Sequence, residues 1–156
     1  MKKLSGVLVL ALLATGFAFA QSWDEEPAFG QIDLEAGFYP DPTEVEIVGG
    51  GSIDVSSVSE LGNLGGAGYI AQAPDLNLFY DTDGTFALTI KVEGDGEDTV
   101  LVVRSPSGAW FFNDDENGVD PAITFGEPES GLYNIWVGSY WEDDYVDIRL
   151  LITELD

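Results

Sequence analysis

One acidic loop of this chain has the residue types and spacing of a metal-binding turn. From Asn113 to Asp120 the sequence reads NDDENGVD, so side chains with oxygen atoms alternate around a glycine. Calcium binds several hard oxygen ligands, and carboxylates and amides supply them. The twelfth position is Thr124, not the bidentate glutamate of an EF-hand, so an EF-hand is excluded. The predicted calcium ligands are Asn113, Asp114, Asp115, Asn117 and Asp120. The alternative is a solvated turn, in which Asn, Asp and Gly serve only the backbone geometry.

A second group of side chains is aromatic and clusters towards the C-terminus. Trp110 and Trp136 are assigned to the core, because each lies within an apolar run. Tyr140 and Trp141 come directly before an acidic turn, so we expect them to be partly exposed. Aromatic rings at one edge of a domain can hold a polysaccharide or an extended peptide. The predicted ligand-contact residues are Tyr140, Trp141 and Tyr145.

The composition excludes several classes of chemistry. The 156 residues include 29 acidic and five basic side chains, with no His and no Cys, and the formal charge is −24. Serine–histidine and cysteine–histidine nucleophiles, ordinary zinc sites and disulfides are therefore excluded. Nucleic acid is not an expected partner, because a basic surface is missing. Two carboxylates could hydrolyse glycosides, but chance pairs are unavoidable among so many acids. We expect no catalytic residues and a non-enzymatic function.

The first twenty residues have the pattern of a secretory signal peptide. Lys2 and Lys3 precede an apolar run, and Ala18-Phe19-Ala20 offers small residues at the positions a signal peptidase reads. A membrane anchor is the alternative, but the run is short for the roughly 20 residues that span a bilayer. We predict cleavage after Ala20, no membrane insertion afterwards, and export to the periplasm or the medium.

The rest of the chain has the pattern of short strands joined by turns. Alternating or continuous apolar residues occur at 44–48, 76–80, 86–92, 99–104, 132–140 and 145–153, with Gly, Pro or Asp turns between them. Within 145–153 the residues predicted to face inward are Val146, Ile148, Leu150 and Ile152. Gly49–Gly51 is expected to end the first of these strands, and Ser52–Gly68 is expected to be loop-like with little regular structure. Such a pattern indicates an antiparallel β-sandwich.

The segment from Thr99 to Thr153 resembles the bacterial pre-peptidase C-terminal domain. The matching features are a DTVLVV strand from Asp98, SPSG from Ser105, NDD from Asn113, PAI from Pro121 and SGLYNIWVGSY from Ser130. These domains are secreted β-sandwiches that accompany extracellular proteases and include collagen-binding modules, and some bind calcium. The resemblance implies a standalone form of this module, since no peptidase domain precedes it in the sequence.

The sequence thus predicts an all-β protein, an antiparallel sandwich of jelly-roll type after a cleaved N-terminal signal helix. Residues 1–20 are the predicted signal peptide, 21–43 an N-terminal arm and 44–156 the sandwich domain. The expected function is that of an exported, non-catalytic binding or accessory module, stabilised by calcium if the acidic loop binds it. Its expected partner is an envelope or extracellular polysaccharide, a matrix protein or a secreted protease. The alternatives are a partner or regulator of such a protease, or a carboxylate-based hydrolase.

Overall fold

Residues 22–155 are described by a computed structural model, and in this range most of the regular secondary structure is β-strand. The predicted signal peptide lies outside these residues. A single 3₁₀ turn at Val55–Ser57 and a short helix, α1, at Ser59–Gly62 are the helical segments of the described range. The strands are β1 Gln31–Glu35, β2 Thr43–Gly50, β3 Ile53–Asp54, β4 Tyr69–Ile70, β5 Leu76–Asp81, β6 Leu88–Glu93, β7 Thr99–Arg104, β8 Trp110–Asn113, β9 Ala122–Phe125, β10 Gly131–Ser139 and β11 Tyr145–Thr153.

The strands form two sheets. In the first sheet β10 is central, with β7 and then β8 on one side. On its other side β10 pairs with β5 through its first half and with β4 at Ser139. The strand β1 joins β5 in parallel, and β3 joins β4. The second sheet is antiparallel, in the order β2, β11, β6, β9.

The main core lies between the two sheets. Val146, Ile148, Leu150 and Ile152 of β11 are all buried and belong to it, as their alternation predicts. The facing sheet contributes Leu76, Leu78 and Tyr80 of β5 with Ile135 and Val137 of β10. On the outer face of β11, Arg149 forms ion pairs with Glu44 and Glu93 of the two neighbouring strands. The two-sheet sandwich expected from the sequence is thereby confirmed.

A second, smaller core covers the outer face of the first sheet. The segment between β3 and β4 lies over this face and buries Val55, Val58 and Leu61 against Trp136. Trp110 packs beside Trp136, with 5.2 Å between their ring centroids. Because both faces of the first sheet are covered here, β7 is apolar on both faces and its residues Thr99–Val103 are buried.

Two local expectations are corrected by the structure. Ser52–Gly68 is not simply loop, since it contains β3, the 3₁₀ turn and α1. Its helical segments are too short to show a helical apolar period, and they are held by burial of their few apolar side chains. Gly49 and Gly50 do not end the strand but belong to β2. A side chain at Gly49 would approach Val137 O to 3.1 Å, so glycine suits the close packing there.

Candidate binding cleft

The turn between β10 and β11 carries Tyr140 and Trp141, and hydrogen bonds fix its shape. The buried Ser139 Oγ donates to Asp144 Oδ2 at 2.8 Å and accepts from Trp141 N at 3.1 Å. Tyr140 N donates to the Asp98 carbonyl at 2.9 Å. The two aromatic rings meet edge to face, with 5.3 Å between centroids. The N–H groups of both ring-bearing residues are thus already hydrogen-bonded, which limits the entropy lost on binding.

Tyr69 of β4 lines the same surface as these two rings, because glycines let β4 approach β10 closely. A Cβ atom at Gly138 would lie 2.2 Å from the Tyr69 carbonyl oxygen, which no side chain tolerates. Gly68, directly before Tyr69, has a φ of +82° and would also meet Val100. Tyr69 was not among the contact residues predicted from the sequence, and the glycine on each side of the contact is the signal that could have pointed to it.

Together these residues line a cleft of about 460 Å³ at one end of the first sheet. Tyr69, Tyr140 and Trp141 supply its aromatic surface, and Asp54 and Glu142 supply carboxylates. Trp141 is 62% exposed and Tyr140 is 39% exposed, although both are large hydrophobic side chains. Two exposed aromatic residues side by side in a concave surface are typical of a ligand-contact site.

The electrostatics of the cleft are negative. Burial first, and then the charges of Glu142 and Asp54, raise the pKa of the Tyr69 hydroxyl above its ordinary value. Asp54 is held in place because its Oδ1 accepts from Ser56 N at 2.8 Å and from Ser56 Oγ at 2.7 Å. Tyr69 therefore stays a neutral hydroxyl, able to donate or accept a hydrogen bond, in the field of these two carboxylates.

Tyr145, the third predicted contact residue, does not share this cleft. It is 63% exposed and lies in a separate depression beside Gly94, Asp95 and Asp144. The structure therefore brings Tyr140 and Trp141 together and leaves Tyr145 apart.

The acidic loop between β8 and β9 directs two of its predicted ligand oxygens at backbone groups. Asn113 Oδ1 accepts from Ala122 N at 3.2 Å, and Asp120 Oδ1 accepts from Gly94 N at 2.9 Å. Among residues 22–155, no group of three or more acidic side chains is arranged to hold a metal ion. The two hydrogen bonds tie the loop to the backbone at Ala122 and Gly94. They do not add support to the calcium prediction.

The charges of the acidic loop still act on a neighbour. Burial, followed by the negative charges of Asp115 and Asp114, raises the pKa of the Asp98 carboxyl. The carbonyl of Asp98 is the group that holds Tyr140 N. The acidic loop and the aromatic turn are therefore neighbours in the fold.

One buried carboxyl group lies at the point along β10 where its neighbouring strand changes from β5 to β4. Asp75 is 3% exposed, and its Oδ2 accepts from Val137 N at 2.7 Å while its own N–H donates to the Ile135 carbonyl at 2.8 Å. The side chain thus replaces a strand partner between β5 and β4. Burial raises its pKa to about 7, and the Val137 hydrogen bond only partly opposes that rise.

Comparison with known proteins adds no relative. No protein-family model matches the chain, and no curated protein sequence matches it.

No helix in the described part of the chain is long and apolar enough to cross a membrane.

Proposed function

We propose that this protein is an exported, non-catalytic binding module, a β-sandwich of jelly-roll type similar to the pre-peptidase C-terminal domain. The observation that carries the proposal is the cleft formed by Tyr69, Tyr140 and Trp141. The exposed rings of Tyr140 and Trp141 are held by a turn in which the N–H groups of both residues are hydrogen-bonded, so contact with a ligand needs little rearrangement.

The distribution of perturbed carboxyl groups supports binding in preference to hydrolysis. A carboxylate-based hydrolase needs one acid with a raised pKa facing its substrate and a second carboxylate opposite. Asp75, the carboxyl group whose pKa is raised to about 7, is buried against the backbone of β10. Asp54 and Glu142, which do face the cleft, belong to an aromatic surface suited to adhesion.

The proposal is tested by a binding screen with defined ligands. Purified protein is mixed with insoluble envelope polysaccharides, gelatin and collagen, and the bound fraction is measured with and without calcium. We expect one class of ligand to retain the protein, and we expect Trp141→Ala to release it. Tyr145→Ala is the matched control, because that side chain is equally exposed but lies outside the cleft. Equal retention of the two variants would refute the cleft as the binding surface.

A secreted protease as partner is a separate outcome of the same design. If purified secreted proteases are retained or inhibited while polysaccharides and matrix proteins are not, the module is a protease partner. Hydrolysis of a polysaccharide in the screen would instead establish an enzyme and overturn the proposal.

A further inference from the structure

We infer that the cleft between Asp54 and Trp141 binds an arginine-bearing peptide segment of another protein, an inference that rests on the proposed binding function. Three aromatic residues and two carboxylates line the same cleft, and none of the described residues lining it is basic.

A guanidinium group satisfies both parts of this surface at once. It is planar and stacks on aromatic rings, and its N–H groups bind carboxylates in a forked geometry. An ammonium group would interact as a point charge and leave part of the ring area uncovered. The fold already contains one such contact, because the Arg104 guanidinium lies 4.2 Å from the centroid of the Trp23 ring.

The positions of the two carboxylates favour an extended chain. Asp54 ends β3, whereas Glu142 belongs to the turn after β10, and the charges of both act on the Tyr69 hydroxyl. A cation bound at the Trp141 ring can reach Glu142, and a second cation along the same peptide can reach Asp54. The long-range field of a chain with formal charge −24 draws such a peptide towards the protein.

General attraction must be separated from recognition at the cleft. The probe is a short end-blocked peptide with two arginines, compared with the same peptide in which neutral citrulline replaces both. Affinity is measured by calorimetry in 0.15 M NaCl, where exposed charges further apart than about 8 Å are largely screened. The arginine peptide is expected to bind at least about fivefold more tightly than the citrulline peptide, as two weak ion pairs would give.

Substitutions at the cleft and away from it complete the test. Glu142→Gln and Asp54→Asn are each expected to weaken binding of the arginine peptide by about threefold, the size of one exposed ion pair. The asparagine retains an oxygen that can accept from Ser56 N, so the local turn is kept. Glu46→Gln is the matched control, because Glu46 is an exposed acid on the opposite sheet, and we expect no loss from it.

The outcomes distinguish this inference from the proposed function. The inference is overturned if the arginine peptide does not bind, if citrulline binds equally well, or if Glu46→Gln weakens binding as much as Glu142→Gln. Tighter binding of a chitosan oligomer than of the arginine peptide would also overturn it, in favour of an amine-bearing polysaccharide. In all four cases the binding function stands if Trp141→Ala still lowers retention in the polysaccharide and matrix-protein screen, and it fails if that variant is retained like wild type.

Discussion

Replacement of the buried Asp75 by asparagine should remove a pH-dependent loss of stability. The carboxyl has an ordinary pKa of 3.8 in the unfolded chain and about 7 in the folded protein. Between these values the folded protein keeps a proton that the unfolded chain has released, so stability falls as the pH rises. Each pH unit corresponds to about 1.4 kcal/mol, and the full window of three units to about 4 kcal/mol.

The Asp75→Asn variant keeps the contact but not the ionisation. Its amide oxygen can still accept from Val137 N, the bond that Asp75 Oδ2 makes at 2.7 Å. The variant and the wild type share every other acidic group, so the background pH dependence cancels in the difference between their unfolding free energies. From pH 5 to pH 7 that difference should move in favour of asparagine by about 2 kcal/mol, and it should level off near pH 8.

Urea unfolding followed by tryptophan fluorescence at pH 5, 6, 7 and 8 measures this difference. Asp75→Ala serves as the control, because it also lacks the ionisable group but leaves Val137 N without an acceptor; it should be less stable than Asp75→Asn by about 1–3 kcal/mol at every pH. A difference between Asp75→Asn and wild type that stays constant from pH 5 to pH 8 would refute the reasoning. It would mean that the carboxyl titrates alike in the folded and unfolded chain.

Two further predictions concern metal and processing. Millimolar calcium should leave the melting temperature unchanged at matched, high ionic strength, because Asn113 and Asp120 already bond backbone groups. A rise that Asp115→Ala abolishes, and Glu46→Ala does not, would establish the calcium site. Protein recovered from the envelope or medium should begin at Gln21, and an intact mass that still includes the first 20 residues would contradict export by cleavage.

The strands of the sandwich could be predicted where buried and exposed residues alternate along the sequence. Alternation along β11 assigns Val146 and Ile148 to the core, and both are buried. β10 was also predicted from its apolar run. The parallel pairing of β1 with β5 was not predictable, because a five-residue strand carries no signal of its partner or direction. The helical segments between β3 and β4 were not predicted, because each is only about one turn long and shows no repeating apolar pattern.

Only the part of the cleft formed by residues adjacent in sequence could be predicted. Tyr140 and Trp141 are neighbours in sequence before an acidic turn, so their partial exposure could be inferred. Tyr69 comes from a strand seventy residues earlier, and its place depends on the close approach that Gly138 permits. Asp75 could not be recognised as buried, because its role arises from the change of partner along β10 and not from its own sequence neighbours.

The most direct test of the binding cleft is one comparison of affinities. For the ligand that retains the protein in the screen, calorimetry is performed on wild type, Trp141→Ala and Tyr145→Ala. Loss of an exposed aromatic contact should weaken binding by about tenfold in Trp141→Ala, whereas Tyr145→Ala should bind like wild type. Equal affinities for all three proteins, or a loss confined to Tyr145→Ala, would contradict the assignment of the cleft as the functional surface.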